Sequence, residues 1–420
     1  MARLMKSLKS VGKICFLIVI GLIYVSSDLS AQNNTSSPYS YYGYGELMTQ
    51  DIINPAGLAS LSYSDGGVLN INNPAALSQL DSLKFIFQFG MTAKFSKLKQ
   101  GNDDDTFNDL NFSKLAFGFR AAPGYGVAVS LVPYTSLGYD ITNIEYVEGG
   151  SDYIIRSLKG TGGLNQLVLS NGFRITKNLS LGVNGIYIFG NNSRDESIIP
   201  RGGGASTYLN SSKLISTGLN FNVGAQYQFN FVDNSIILGM KYQPKVGVRA
   251  KREVEVVNLG VIKYNDTDRG RYDVPEVYSV SLGMKKGKQL WVGADYLLEK
   301  WSETKKFEKE NQLVDRNKFS LATIYKANDG YATKFFKKLT YRFGAFYDTG
   351  YMRVRDERIK TKGFSFGVGM PLARGKGMIN MSFEFGQMGL TANNLVREDY
   401  GRINIELNLF ENWFIKRKYH

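Results

Sequence analysis

From Leu83 to the carboxyl end, apolar and polar residues alternate with a period of two. Leu83, Phe85, Phe87, Phe89, Met91, Ala93 and Phe95 are interleaved with Lys84, Ile86, Gln88, Gly90, Thr92 and Lys94. In 215–229 the odd positions run Ile215, Thr217, Leu219, Phe221, Val223, Ala225, Tyr227 and Phe229, and the even ones are Ser, Gly, Asn or Gln. Ile403, Ile405, Leu407 and Leu409 likewise alternate with Arg402, Asn404, Glu406 and Asn408. Successive strand side chains point to opposite faces, so each segment has one apolar wall and one largely polar wall. Fourteen such segments are predicted, at 83–98, 111–122, 124–142, 163–176, 179–194, 211–232, 235–250, 275–286, 289–304, 316–327, 338–352, 361–372, 377–390 and 400–412. Residues 32–82 lack strict alternation and are rich in small residues and turn formers, which suits short helices and loops.

A soluble β-sandwich also buries one face of each strand. Length separates the two cases. Many of these segments run 12 to 20 residues, against roughly 5–6 in ordinary sheets, and a tilted membrane strand needs about 9–11 in the hydrocarbon. In lipid every backbone N–H and C=O must find a partner, so such a sheet must close. A closed ring of fourteen strands leaves a lumen too wide for side chains alone to fill. The expected fold is therefore all-β: a 14-stranded antiparallel transmembrane β-barrel over 83–412, with 32–82 as an N-terminal hatch in the lumen and 413–420 as a periplasmic tail.

Connection lengths support this. The joins Pro123, Lys177-Asn178, Asp233-Asn234, Gly287 and Ala373 to Lys376 are tight, 328–337 is longer, and the remaining joins run about 8 to 24 polar or charged residues. Outer-membrane barrels have short periplasmic turns and longer outer loops, and an even strand number returns the chain to the periplasm.

The first 31 residues read as a signal peptide. Arg3, Lys6, Lys9 and Lys13 precede a 12-residue apolar core, Ile14 to Val25, and Leu29-Ser30-Ala31 offers a small residue for cleavage. That core is too short to span a bilayer, and no later run approaches the roughly 20 apolar residues of a membrane helix. Cys15 lies within the apolar core and is the chain's single cysteine, so the mature chain would lack disulfides, thiolate metal sites and cysteine catalysis. Its charge would fall from +14 to +11, with 47 basic and 36 acidic residues left. For an exported chain that charge suits anionic lipid headgroups or lipopolysaccharide better than nucleic acid. The densest basic run is Lys416-Arg417-Lys418. Abundant glycine (45), tyrosine (26) and phenylalanine (26), with nine prolines, fit aromatic-rich strands joined by tight turns. Trp301 and Trp413 fall near strand ends and are expected at the membrane interface, where indoles favour the headgroup level.

Several stretches resemble the FadL/TodX family of hydrophobic-compound transporters. They are Asp65-Gly66-Gly67 through Asn73-Pro74-Ala75-Ala76-Leu77 to Leu80-Asp81; Asn165 to Phe189; Val274 to Gly283 followed by Leu290 to Tyr296 and Trp301-Ser302; and Tyr341 to Asp348. The resemblance implies a 14-stranded barrel with an N-terminal hatch, and a kink in the third strand that opens a lateral path from lumen to membrane. Carried over, the hatch motif is Asn73, Pro74 and Ala75. The kink candidates are Pro133, Tyr134 and Gly138. Proline cannot donate to a sheet ladder, so Pro133 fits either a bulge or simply the outer edge of the strand. Asn54-Pro55-Ala56 is a second candidate motif, less apt because it does not immediately precede the first strand. Residues 37–47, SPYSYYGYGEL, are an addition relative to the family.

Catalysis is not expected. The single histidine, His420, is the last residue, which removes a Ser-His-Asp triad and histidine metal sites. Asp103-Asp104-Asp105 suits a solvated acidic turn better than a cation site. Gly202-Gly203-Gly204 lacks the Lys-Ser/Thr of a phosphate loop. No cofactor is implied. The expected function is passive uptake of hydrophobic, fatty-acid-like small molecules across the Gram-negative outer membrane, by a monomer that releases them sideways into the lipid. The alternative is a barrel subunit of an envelope or secretion assembly with no transport of its own.

Overall fold

The structure, a computed structural model, describes residues 35–48, 60–146, 152–201, 207–305, 312–327, 335–372 and 375–412. The signal peptide and tail expected from the sequence, together with Trp413, Asn54-Pro55-Ala56 and Gly202 to Gly204, lie outside these residues.

Fourteen antiparallel strands form the barrel. They are β1 Lys84–Gln100, β2 Asp103–Ala122, β3 Tyr125–Tyr146, β4 Tyr153–Arg174, β5 Leu179–Arg201 and β6 Tyr208–Asn230. β7 is broken into Asn234–Gln243 and Val246–Asn258, and β8 into Val261–Val274 and Glu276–Lys286. β9 Leu290–Lys300, β10 Arg316–Lys326, β11 Thr340–Asp348, β12 Thr361–Pro371, β13 Gly377–Met388 and β14 Arg397–Asn412 complete the wall. Each pairs with the next, and β14 pairs with β1 from Lys84↔Asn412 to Lys99↔Arg397, which closes the ring. Among the described residues no helix is long and apolar enough to cross a membrane; the strands do so. Phe89, Leu169, Leu219, Phe221, Leu282, Leu321, Phe343 and Phe364 are exposed on the outer wall, while Gln88, Asn184, Ser281, Ser365 and Asn408 are buried on the inner one.

The strands outrun the sequence expectation at their outer ends. The joins expected at 99–110 and 251–274 are instead strand, turned at Gly101-Asn102 and at Leu259-Gly260. Leu259 and Gly260 both have positive φ (51° and 73°), as a two-residue type I′ hairpin requires. Above the membrane both faces of a strand meet water. The period-two signal therefore fades although backbone pairing continues. The breaks in β7 and β8 lie side by side, at Pro244-Lys245 and Pro275, where the missing proline N–H interrupts the ladder.

The described N-terminal residues contact inward-facing positions all around the wall. Leu69, Leu77 and Leu80 pack with Ile86, Ala116 and Ala128 toward the periplasmic end. Tyr63 packs on Trp291 with their rings 5.2 Å apart. Tyr39, Tyr44 and Leu47 join a larger core in the outer half with Ile188, Val248, Tyr272 and Trp301. A small sheet of Gln312–Leu313, Met352–Val354 and Glu357–Arg358 adds to that core from the outer joins.

Candidate functional site

The wall is split between β2 and β3. Their pairing runs only from Ala122↔Tyr125 to Leu115↔Leu131. Above that point, among the described residues, β2 pairs only with β1, from Met91↔Phe112 to Gln100↔Asp103, and β3 pairs along its length with β4. Both strands bulge where they part: the β1–β2 register slips at Ser113 and the β3–β4 register slips at Tyr134. A bulge adds one residue and bends its strand. Pro133, next to the second slip, has no N–H to offer the vacated edge. Leu110 beside the split is exposed on the outer wall, so the opening reaches the apolar belt.

The N-terminal segment occupies the split. Its two-residue strand Glu46–Leu47 pairs with Ser136 and Thr135 of β3, and the Met48 N–H donates to the Tyr134 carbonyl at 2.9 Å. The Ser40 hydroxyl donates to the Gly138 carbonyl at 2.7 Å and accepts from the Gly138 N–H at 3.1 Å. On the other side Ser36 donates its hydroxyl and its N–H to Asp109 of β2, at 2.7 and 3.1 Å. A Cβ at Gly138 would sit on the carbonyl of Thr35, so glycine is what lets the two backbones approach this closely.

A charge network anchors the same segment. The Glu46 carboxylate meets Lys94 of β1 at 3.1 Å and Arg402 of β14 at 3.5 Å, and accepts from the Thr35 hydroxyl at 2.9 Å. Lys94 also meets Glu398 at 2.7 Å, and Arg402 meets Glu384 at 2.9 Å. Ser37 donates to Glu398 at 2.7 Å. Burial alone would push the Glu46 carboxyl up. Lys94 and Arg402 outweigh it and hold the group below its ordinary 4.5.

The expected hatch motif rests lower in the barrel on a row of glycines. Gly126, Gly172, Gly182 and Gly224 are register partners on β3, β4, β5 and β6. A Cβ on them would strike the Leu77 carbonyl, the Pro74 carbonyl, the Ala75 nitrogen and the Asn73 side chain, respectively. Four bare positions in a line thus seat the backbone of 73–77. Asn73 caps the short 3-10 helix Pro74–Gln79 by accepting from the Ala75 N–H at 3.2 Å. Its amide donates to the Leu61 carbonyl at 2.8 Å and to the Ala225 carbonyl of β6 at 3.2 Å.

Two spaces adjoin the split. A cavity of about 90 Å³ lies inside it, with Leu47, Ile71, Asn72, Pro133, Tyr134 and Glu299 among its lining. A groove of about 610 Å³ lies at the outer end, with Tyr39, Tyr41, Tyr42, Phe107, Tyr139 and Leu395 among its walls. The structure therefore brings Pro133, Tyr134 and Gly138 together with the N-terminal segment. Contact with them comes from Thr35, Ser40, Glu46, Leu47 and Met48. Asn73 to Ala75 sit apart on the glycine row, with Ile71 and Asn72 reaching the inner cavity. Ser36, Asp109, Lys94 and Arg402 were not singled out from sequence. Lys94 and Arg402 did stand at polar, lumen-side positions of their strands, where a buried charge calls for a partner.

Trp301 requires a correction. It is 1% exposed, donates its indole N–H to Glu299 at 2.7 Å, and packs on Tyr351 with ring centroids 4.8 Å apart. β9 ends at Lys300, and the residue after it turns into the lumen instead of out to lipid. Tyr242 and Tyr278 are aromatic residues that do face outward at this height. Asp103 to Asp105 open β2 and are exposed, with Asp104 paired to Lys97.

A ring of fourteen spanning strands, closed by β14 on β1 and parted only in the outer half between β2 and β3, with an apolar outer belt, defines an integral β-barrel of the Gram-negative outer membrane, of FadL/TodX architecture. A family model described as BamG matches residues 12–420, and the chain belongs to that family. The fold is similar to that of a FadL homologue of Pseudomonas aeruginosa, at 15% identity and TM-score 0.60, covering 86% of this chain and 98% of that one. It is also similar to the Pseudomonas putida toluene transporter TodX, at 15% identity and TM-score 0.55, covering 91% and 100%. The Ralstonia pickettii toluene transporter TbuX matches at 15% identity and TM-score 0.53, covering 85% and 97%. No curated protein sequence matches the chain.

Proposed function

We propose that this barrel admits hydrophobic small molecules at its outer groove and releases them sideways into the membrane through the β2–β3 split, with residues 32–82 acting as the hatch. One observation carries the proposal: the wall is unpaired from Leu115 and Leu131 outward, and the N-terminal chain segment, not a neighbouring strand, fills the opening. The outer groove falls within the roughly 300–1,000 Å³ of small-ligand sites, and its walls join the aromatic rings to a polar rim that includes Asp103, Asp104, Asp105 and Asp140. Fold relatives described as toluene transporters agree with this solute class. Fatty-acid-like molecules are the expected cargo. Release requires the 35–48 segment to withdraw from β3, a shift between sealed and open populations.

The test joins the segment to the wall. Ser36→Cys with Asp109→Cys, bridged by a short bifunctional thiol reagent with a reducible link, locks the seal in proteoliposomes. Uptake of a labelled long-chain fatty acid and of toluene is expected to stop and to return on reduction. Undiminished uptake in the locked barrel sinks the lateral route.

A second reading has its own support. Among the described residues the outer half of β8 pairs in the sheet only with β7, with one further bond from the Asp273 N–H to the Lys305 carbonyl, and Leu259, Val261, Ile262 and Tyr264 at that hairpin are exposed above the belt. A bare strand edge of this kind is a template for a partner chain, as a subunit of an envelope assembly would need. Copurification of a stoichiometric partner, lost on Ile262→Asp with Tyr264→Asp, favours it; purification as a lone barrel excludes it.

A further inference from the structure

Just above the apolar belt the outward face of β7 and β8 carries a cluster of cations that outnumber the acids beside them. In the outer halves of these strands Val248, Ala250 and Tyr272 turn inward and are buried, so Arg249, Lys251, Arg269 and Arg271 point outward. The register sets Arg249 directly opposite Arg271, and Lys251 directly opposite Arg269. Like charges in directly opposed positions destabilise a ladder. Lys245, at the break in β7, is exposed below them. Three acids share the surface, Glu253, Glu255 and Asp273. Glu253 is 2.5 Å from Lys251, and Asp273 accepts from the Lys305 N–H at 3.0 Å. Among the described residues Arg249, Arg269 and Arg271 have no carboxylate partner.

Height gives the cluster its meaning. Arg249 is the register partner of Thr217 on β6, two residues from Leu219, which is 73% exposed on the lipid-facing wall. Two residues span roughly 7 Å along a strand. The guanidinium groups therefore stand at the level where the hydrocarbon gives way to headgroups of the outer leaflet. Guanidinium is planar and presents paired donors that match phosphate oxygens, and one phosphate lying between Arg249 and Arg271 would turn their repulsion into a shared attraction.

We propose that Arg249, Arg269 and Arg271, with Lys245 and Lys251, form a binding site for the phosphates of an outer-leaflet glycolipid of the lipid A type. The site lies on the outer wall and depends only on how the barrel sits in the membrane, so it stands or falls separately from lateral transport.

The test compares binding of bis-phosphorylated and dephosphorylated lipid A to the detergent-purified full chain by native mass spectrometry. Wild type is expected to hold the phosphorylated form preferentially. Arg249→Gln, Arg269→Gln and Arg271→Gln together are expected to weaken that binding by roughly 100-fold, since each cation near an anionic surface contributes about fivefold. Heat-modifiable gel mobility checks that the variant barrel is closed. A control with Lys286→Gln and Lys288→Gln, at the opposite rim, is expected to bind as wild type does. Equal affinity for the two lipids, an unchanged triple variant, or an equal loss in the control each overturns the site.

Discussion

The row Gly126, Gly172, Gly182 and Gly224 fits the backbone of 73–77 because none of the four has a Cβ. A single methyl at Gly182 would lie 2.5 Å from the Ala75 nitrogen. Gly182→Val should therefore displace the Pro74–Gln79 turn at a cost of about 1–3 kcal/mol, in the range of core overpacking. Thermal unfolding of the purified barrel checks this, and Gly185→Val, a site with open space around it, is expected to be near neutral. Asn73→Ala removes a helix cap and two donors to buried carbonyls. The expected loss is about 2–4 kcal/mol, read as faster proteolysis of the N-terminal segment with the barrel itself intact.

At the scale of elements, the seal is a short strand held to β3 by backbone pairing and to β1 and β14 by charge. Glu46→Gln leaves Lys94 and Arg402 without one of their buried carboxylates, and such breakage costs about 3–5 kcal/mol. The variant is expected to conduct ions at neutral pH in planar bilayers where wild type is quiet. Acid should act through the same group. Glu46 is held below its ordinary 4.5 when folded, so its contribution is fully present above that value and is lost as pH falls through the lowered one. Conductance of wild type should rise only below pH 4.5, and Glu46→Gln should show no further step there. An acid step of equal size in both proteins would assign it to another group.

For the whole molecule, the closed ring is held by its own strand ladder, independently of the N-terminal segment. Deleting residues 32–82 takes away the Leu69, Leu77 and Leu80 cluster and the Tyr63–Trp291 contact but leaves the strand ladder intact. The deleted barrel is expected to keep heat-modifiable mobility and to form a pore of raised conductance. Unchanged conductance would mean that the lumen is blocked by the barrel's own joins.

Alternation along the chain predicted the strand count, and strand length added to it predicted closure and which wall meets lipid. Burial of one face by lipid writes a period of two into each strand, and Phe85 to Phe95 show it plainly. Asn73-Pro74-Ala75 and Pro133 were pointed to by the family resemblance, and the sequence left Pro133 open between a bulge and a strand edge; the register slip falls beside it, at Tyr134. Where both faces are wet, as in β8 from Val261 to Arg271, no period survives and only backbone pairing revealed the strand. The split was beyond reach, because a missing hydrogen bond between β2 and β3 leaves no mark on either strand's own pattern. Nor could Glu46 find Lys94 and Arg402 on paper, since they lie 48 and 356 residues away. Trp301 shows the converse: its type suited an interface, yet the end of β9 at Lys300 turned it inward. Local periodicity decides which way a side chain faces; only closing the ring decides what it faces.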